Sequence, residues 1–500
     1  MDDSGIALTG VPSSANPPDK RRDNAITKPL AEDVAVDEID PAIEKRLRRK
    51  LDRRVVGILF MLYLLAFLDR SNIGNAQAAG MGKDLGFDDG QFQWLLTVFY
   101  IPYILFEWLA IMWKLVPPHI WASVTVMIWG ISSTLQAVAF NWQGLMACRA
   151  CLAMAEAGFG PGVPYLLSFF YRRHELGLRC GLFLSAAPLA TAFAGALASA
   201  ITSTPHPPLA PWRLLFLAEG LPGILFSLVA FLLLPDSPDT ATFLTPAERH
   251  VARSRAVLQS GGPGASRLGT FAWRDALAAL RVPHTWLQPL MFFSCNVSFA
   301  SLPVFLPSVL EHMGFSPTKA QGMTAPPYLL AFAVCIGTTY LADRTQQRAA
   351  VIGGLSLVGM AGYVVLATVE GVAARYVALF MAAAGVFPAI ANILPWVLNN
   401  QGTDAKRGLG IAMLNVVGQC GPLLGTRMFP IGEAPYYRRG MAVCAGFMGV
   451  NAVLAGVLRA YFVRENRRME REEEGRAVEG GDEAMGRSEI EGALGYRFVL

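Results

Sequence analysis

The sequence predicts an all-α membrane protein, with twelve transmembrane helices arranged as two six-helix halves. Three observations carry that prediction. The 500 residues are 53% hydrophobic and only 16% charged, where soluble domains sit nearer ~25% charged. Apolar runs of about 20 residues, the length that crosses a bilayer, recur twelve times. A polar stretch, 235–283, divides them six and six. The mean hydropathy of +0.39 agrees.

Taken in order, residues 1–54 are polar, Pro-containing and charged, with no apolar core before Val55. They read as a disordered cytosolic tail and not as a signal peptide, so the first span must act as the targeting signal. The N-terminal half, 55–234, holds spans near 55–79, 91–113, 119–140, 142–168, 180–202 and 212–234. The C-terminal half, 284–463, holds spans near 284–310, 320–342, 349–369, 373–398, 408–428 and 440–463. The closing segment, 464–500, is charged and Gly-rich, and is expected to be a disordered cytosolic tail apart from its last residues, GYRFVL.

Orientation follows from Lys and Arg. With the N-terminus inside, the inner segments are KRLRRKLDRR (45–54), YRRHELGLR (171–179), the central loop, DRTQQR (343–348), AKR (405–407) and RENRR (464–468). The opposite loops carry few basic residues. Both termini are therefore expected in the cytosol, and the plasma membrane is the expected location, since nothing resembles an organelle address. In the central loop, Thr245, Pro246 and Glu248 form a helix-starting capping box with proline at the first position. FAWRDALAALRV (271–282) is amphipathic and suits an inner membrane surface. The expected role of this loop is a solvated tether between the halves.

Several classes are excluded. The seven cysteines (148, 151, 180, 295, 335, 420, 444) all lie in apolar segments, and the Cys148-x-x-Cys151 pair has no second pair to complete a metal site. They read as small packing residues. The six histidines (119, 174, 206, 250, 284, 312) are scattered and form no nucleophile–base set, so an enzyme is not expected. No cofactor or metal is implied, and the basic residues form no nucleic-acid face.

The informative residues are charges inside spans, which are costly in a bilayer and usually mark a pathway or a binding site. The first span carries Asp69 and Arg70, and the fourth carries Arg149 and Glu156. Asp69 lies fifteen residues past Arg54, about 22 Å at 1.5 Å per residue. Arg149, entering from the other side, lies about 10 Å deep. The two therefore share a level, and pairing among Asp69, Arg70 and Arg149 is expected. Glu156 points the same way as Arg149 but lies about 10 Å deeper, too far to pair with it. Asp69 and Arg70 differ by about 100° around their helix, so both cannot face one cavity squarely. Glu107 and Glu219 are further candidates for the network. Gly158, Gly160, Pro161 and Gly162 follow the charges. Pro161 removes a backbone bond and the glycines permit close helix approach, which suits a bendable gating segment.

The ordered motifs AFLDRSNIGNA (66–76), RACLAMAEAGFGPGVPYLLSFFYRRHE (149–175), WRLLFLAEGLPGILFSLVAFLLLPDSP (212–238) and APYYRRG (434–440) resemble those of the anion:cation symporter family within the major facilitator superfamily. The ending GYRFVL is similar to the close of fungal nicotinate, allantoate and vitamin permease types. The resemblance implies a secondary transporter working by alternating access, with proton-coupled symport of a small organic anion such as a monocarboxylate. It implies that Asp69 and Glu156 take up protons and that Arg70 and Arg149 hold the anion or couple it to protonation. Physical chemistry permits such a link. A substrate carboxylate on the Arg weakens its hold on the protein carboxylate, which then favours a proton. The loop after the second span, WKLVPPH (113–119), departs from the superfamily's gating pattern. TYLADRTQQR (339–348) keeps Asp343 and Arg344 of that pattern, with Thr339 in place of its Gly. The second half carries almost no mid-membrane charge. It offers Asn296, Tyr328, Asn392 and Gln419 for the neutral part of a substrate. The partners expected are a small organic anion, a proton and the lipid bilayer, with the chain acting as a monomer. A non-transporting nutrient sensor with the same fold is the rival reading.

Overall fold

The computed structural model describes residues 40–260, 281–400, 404–479 and 498–499. The first half comprises α2 (Gly57–Ala78), α3 (Asp89–Phe106), α4 (Pro118–Gln136), α5 (Trp142–Phe159), α6 (Arg173–Thr202) and α7 (Pro211–Leu233). The second comprises α9 (His284–His312), α10 (Ala325–Thr345), α11 (Arg348–Thr368), α12 (Val372–Asn399), α13 (Asp404–Gly418, extended by Cys420–Gly425) and α14 (Arg438–Glu479). Among the described residues, eight helices are each long and apolar enough to cross a membrane. The six-plus-six arrangement stands.

Before α2 comes α1 (Pro41–Leu51), capped by Asp40, whose side chain accepts the Ala42 N–H at 2.8 Å. One turn of π-helix, Asp52–Val56, joins it to α2. Residues 41–54 are thus helical, against the expectation of a disordered tail. The cause is a stripe of fully buried Leu47, Leu51 and Val55, spaced by four among the charges. Likewise α14 continues past 463 to Glu479, with an Arg468–Glu472 pair of 2.9 Å on its polar extension.

In the central loop, α8 (Pro246–Ser260) starts from the predicted box: Glu248 Oε2 accepts the Thr245 N–H at 2.9 Å and Thr245 Oγ1 accepts the Glu248 N–H at 3.3 Å. It is more than a solvated tether. Lys50 on α1 bonds Glu248 at 2.7 Å, and buried Arg255 pairs with Glu175 at the start of α6 and with Glu44 of α1. Asp52 pairs with Arg179 of α6 at 2.9 Å. The amphipathic stretch 271–282 lies, but for its last two residues, outside the described residues. We term the end of the bundle bearing α1 and α8 the basic end, and the opposite one the far end.

The halves meet where α2 packs on α9 and where α6 packs on α10 and α12. At Gly74 the backbone of Val304 comes so close that no Cβ would fit. On α6, Gly177 faces Arg348 and Asp343, and Gly181 faces Thr339, again with no room for a side chain. Small residues permit such approach between membrane helices. The innermost helices are buried all round: α9 from Ser294 to Pro307 and α12 from Ala382 to Asn399. Outward positions such as Ile128, Leu225 and Val453 are exposed, as on a lipid-facing surface.

Candidate functional site

A narrow cleft lies between the halves, walled by Phe67, Arg70 and Ser71 of α2, Asn296 and Phe299 of α9, and Gln419. Its volume is about 10 Å³, room for about one water. Toward the far end the seam is closed by Gln321 Nε2 donating to the Asn75 carbonyl (3.3 Å), Ser199 Oγ donating to the Thr318 carbonyl (3.0 Å) and Thr97 meeting Thr426 (3.4 Å).

Arg70 is the charged wall of this cleft. Its guanidinium donates twice to Glu156 Oε2, at 2.6 and 3.2 Å. It also lies over the rings of Phe99 (4.8 Å) and Tyr103 (5.0 Å) on α3, a cation–π seat that shields it from lipid. Arg149 sits at the level expected, but it meets main chain: Nη1 donates to the Asp69 carbonyl (3.3 Å) and Nη2 to that of Arg70 (3.5 Å). It shares the Phe99 ring at 5.2 Å. The expected Asp69–arginine pairing is not made. The Asp69 side chain turns to α4, where Ser133 Oγ donates to it at 2.5 Å. The 100° between neighbours explains this, since Arg70 faces the cleft and Asp69 faces away. Glu219 of α7 lies within electrostatic reach of Asp69 and beside Asn72. Glu107 lies within reach of Arg70. Arg149 and four carboxylates (Asp69, Glu107, Glu156, Glu219) are therefore buried together, with the partly exposed Arg70 among them.

The polar residues of the second half divide. Asn296 donates to the Gly418 carbonyl (3.0 Å) and reaches Gln419 Oε1 (3.5 Å), and both side chains belong to the cleft. Asn392 and Tyr328 stand away from it. Asn392 donates to the Pro388 carbonyl of its own helix (2.9 Å) and to Thr338 of α10 (3.4 Å). Tyr328 is fully buried against Phe387.

The glycine segment also differs from its expected form. After α5 the chain makes a 3₁₀ turn at Gly160–Gly162 and resumes at Val163–Leu167. The bend frees the Gly158 carbonyl, which accepts the indole N–H of Trp113 (2.8 Å) and of Trp121 (2.9 Å). Gly162 leaves room for the Trp113 ring. Two tryptophans thus fix the bend. At the α10–α11 junction Asp343 pairs with Arg348, which is fully buried, and not with Arg344, which is exposed. Gln346 at φ 55° turns the chain back, so the first turn of α11 meets the last turn of α10. Arg348, Ser133, Phe99 and the two tryptophans are site residues that the sequence reading passed over.

Two helical halves around an internal charged cleft make a membrane transporter. The chain belongs to the Major Facilitator Superfamily, whose family model matches residues 59–426. It is 32% identical over 436 residues to the MFS-type transporter efuF of Hormonema carpetanum, covering 86% of this chain and 88% of that one. To the MFS transporter prlL of a fungal species it is 33% identical, covering 89% and 92%. Among solved structures, the proton:xylose symporter XylE matches with a TM-score of 0.62 at 13% identity, covering 82% of this chain and 96% of that one. A bacterial homologue of the lysosomal transporter Spinster, inward-facing and occupied, matches with a TM-score of 0.58 at 17% identity, covering 82% and 97%. At those identities the structures speak for the fold alone.

Proposed function

We propose that this transporter carries a small organic anion together with a proton by alternating access, with the basic end in the cytosol. The observation that supports the reading best is the Arg70–Glu156 pair at the edge of the inter-half cleft. A substrate carboxylate entering the cleft meets Arg70 as a rival to Glu156. When it takes Arg70, Glu156 is left buried without its counter-charge, and a proton on Glu156 restores neutrality. Anion and proton then bind as a unit. Arg149, tied to backbone carbonyls at the same level, keeps the local field positive and braces the α2 backbone beneath Arg70. Asn296 and Gln419 face the neutral part of the substrate. Asp69, Ser133 and Glu219 form a second acidic group behind α2, reached from the cleft only through that helix. The 10 Å³ volume means that loading requires the halves to part.

The test is uptake of a labelled panel of organic acids, neutral sugars and amines by cells expressing the chain, at acid and at neutral external pH. Acid-stimulated uptake confined to the carboxylates is expected. Uptake of a sugar or an amine with carboxylates excluded refutes the anion reading.

A further inference from the structure

The chain's closing residues return to the bundle. Phe498 and Val499 lie at the basic end in a groove between α9, α12 and α14, and their main chain is read by two asparagine side chains. Asn466 Oδ1 accepts the Phe498 N–H at 2.9 Å while its Nδ2 donates to the Phe498 carbonyl at 2.9 Å. Asn400 repeats the arrangement on the next residue, accepting the Val499 N–H at 2.8 Å and donating to the Val499 carbonyl at 3.0 Å. The indole N–H of Trp396 adds a third donor to that region, 2.8 Å from the Val499 carbonyl. Asn400 is 1% exposed and Trp396 fully buried. The Phe498 ring stacks on Phe462 of α14 at 4.8 Å and 13°, with His284 of α9 edge-on at 5.7 Å.

This is a built receptor for an extended peptide. A primary amide that both accepts from and donates to one residue copies a strand partner, and two in succession fix direction and register. The ring seat selects an aromatic residue at the first position. Such geometry does not arise from apolar contact alone.

We propose that this groove is a peptide-binding site whose ligand is the chain's own Phe498-Val499 segment, and that its occupation fastens the last turn of α12. Trp396 and Asn400 are four residues apart, so they sit one above the other on a single face of α12's end. The tail joins that face to α9, which opens the second half, and to α14, which closes it. All three first contact the tail at the basic end. α12 is the helix whose buried half packs on α6 of the other half. Fastening its last turn therefore holds the inter-half surface shut from behind. Released, α12's end frays and the basic end opens more readily.

Hydrogen–deuterium exchange on the full-length protein in lipid nanodiscs tests this. Compared are the wild type, a chain lacking residues 498–500, and Asn400→Ala. Peptides covering 384–400 are expected to exchange roughly thirtyfold faster in Asn400→Ala, the effect of losing two net hydrogen bonds of about 1 kcal/mol each. Helices α3 to α5 stay unchanged. Adding the synthetic hexapeptide Gly-Tyr-Arg-Phe-Val-Leu to the truncated chain restores protection of 384–400, whereas the same peptide with Phe replaced by Ala does not. Unchanged exchange at 384–400 after truncation overturns the proposal. So does a uniform rise across both halves that the hexapeptide fails to reverse, since that is a general folding defect.

Discussion

Replacing Glu156 by Gln separates the charge of the central pair from its shape. Glutamine fills the same volume and keeps one carbonyl oxygen for Arg70. Two charge-assisted bonds, at 2.6 and 3.2 Å, become neutral-acceptor bonds. Charge assistance is worth about 1 kcal/mol per bond, so the folded state loses roughly 1–3 kcal/mol. Alanine at the same position removes the acceptor altogether and leaves Arg70 a largely buried, uncompensated charge, at up to about 3–5 kcal/mol. On heating detergent-solubilised protein, Glu156→Ala should therefore melt first, Glu156→Gln next and the wild type last. Function divides differently. Glutamine imitates the protonated acid, so the anion still binds Arg70 and still exchanges across the membrane. In proteoliposomes, counterflow of a transported acid should persist while accumulation driven by an imposed pH gradient disappears. A Glu156→Gln protein that accumulates substrate against its gradient as well as the wild type would refute the coupling role and leave the pair a structural bridge.

Other consequences can be checked alongside. Gly177→Val places a side chain where Arg348 and Asp343 already lie. Overpacking of this kind costs about 1–3 kcal/mol, and uptake should fall while expression at the membrane is retained. Trp113→Phe and Trp121→Phe each remove one donor from the Gly158 carbonyl and should cost about 1 kcal/mol singly. The double variant should cost more than the sum in thermal melts, because only then is that buried carbonyl left bare. At the basic end, burial disfavours the Glu248 charge, but hydrogen bonds from Lys50 and Thr245 outweigh it and hold the carboxyl below the ordinary glutamate range. A depressed value means that this stabilisation is complete above the unfolded-state pKa and is lost as pH falls through the folded-state one. Wild-type melting should drop over that acid window more steeply than melting of Glu248→Gln.

The fold was legible because its signals are local: twelve apolar runs, a polar divider, a capping box at Thr245–Glu248. The shared level of Asp69, Arg70 and Arg149 was legible too, since depth follows from 1.5 Å per residue. Which carboxylate meets which arginine was not, because it depends on how each helix is rotated against its neighbours. Arg70 is long enough to reach two turns down α5 to Glu156, and Arg149 finds carbonyls first. Arg348 was hidden by a turn, since only the backbone reversal at Gln346 returns it to Asp343. In α1 the signal was present, as Leu47, Leu51 and Val55 keep helical spacing, but eight flanking charges between Lys45 and Arg54 masked it. The ending Phe-Val-Leu stood out as a motif. Its receptor did not, because Asn400 and Asn466 are ordinary amides 99 and 32 residues away from their partners.

The close approach of Gly74 to the Val304 backbone has a mechanical corollary. Where two rigid bodies touch main chain to main chain, they have a fulcrum, and its position sets the leverage on each side. Gly74 lies seventeen residues from the basic end of α2 at Gly57, an arm of about 25 Å. Only four residues, about 6 Å, separate it from the other end of α2 at Ala78. A tilt of about 10° around that point parts the basic end by about 4 Å and the far end by about 1 Å. Gly177 and Gly181 on α6 make a second close contact nearer the basic end, against the side chains of Arg348, Asp343 and Thr339 and not against main chain. The main-chain contact is thus a pivot set close to the far end, so a small tilt about it is amplified at the basic end.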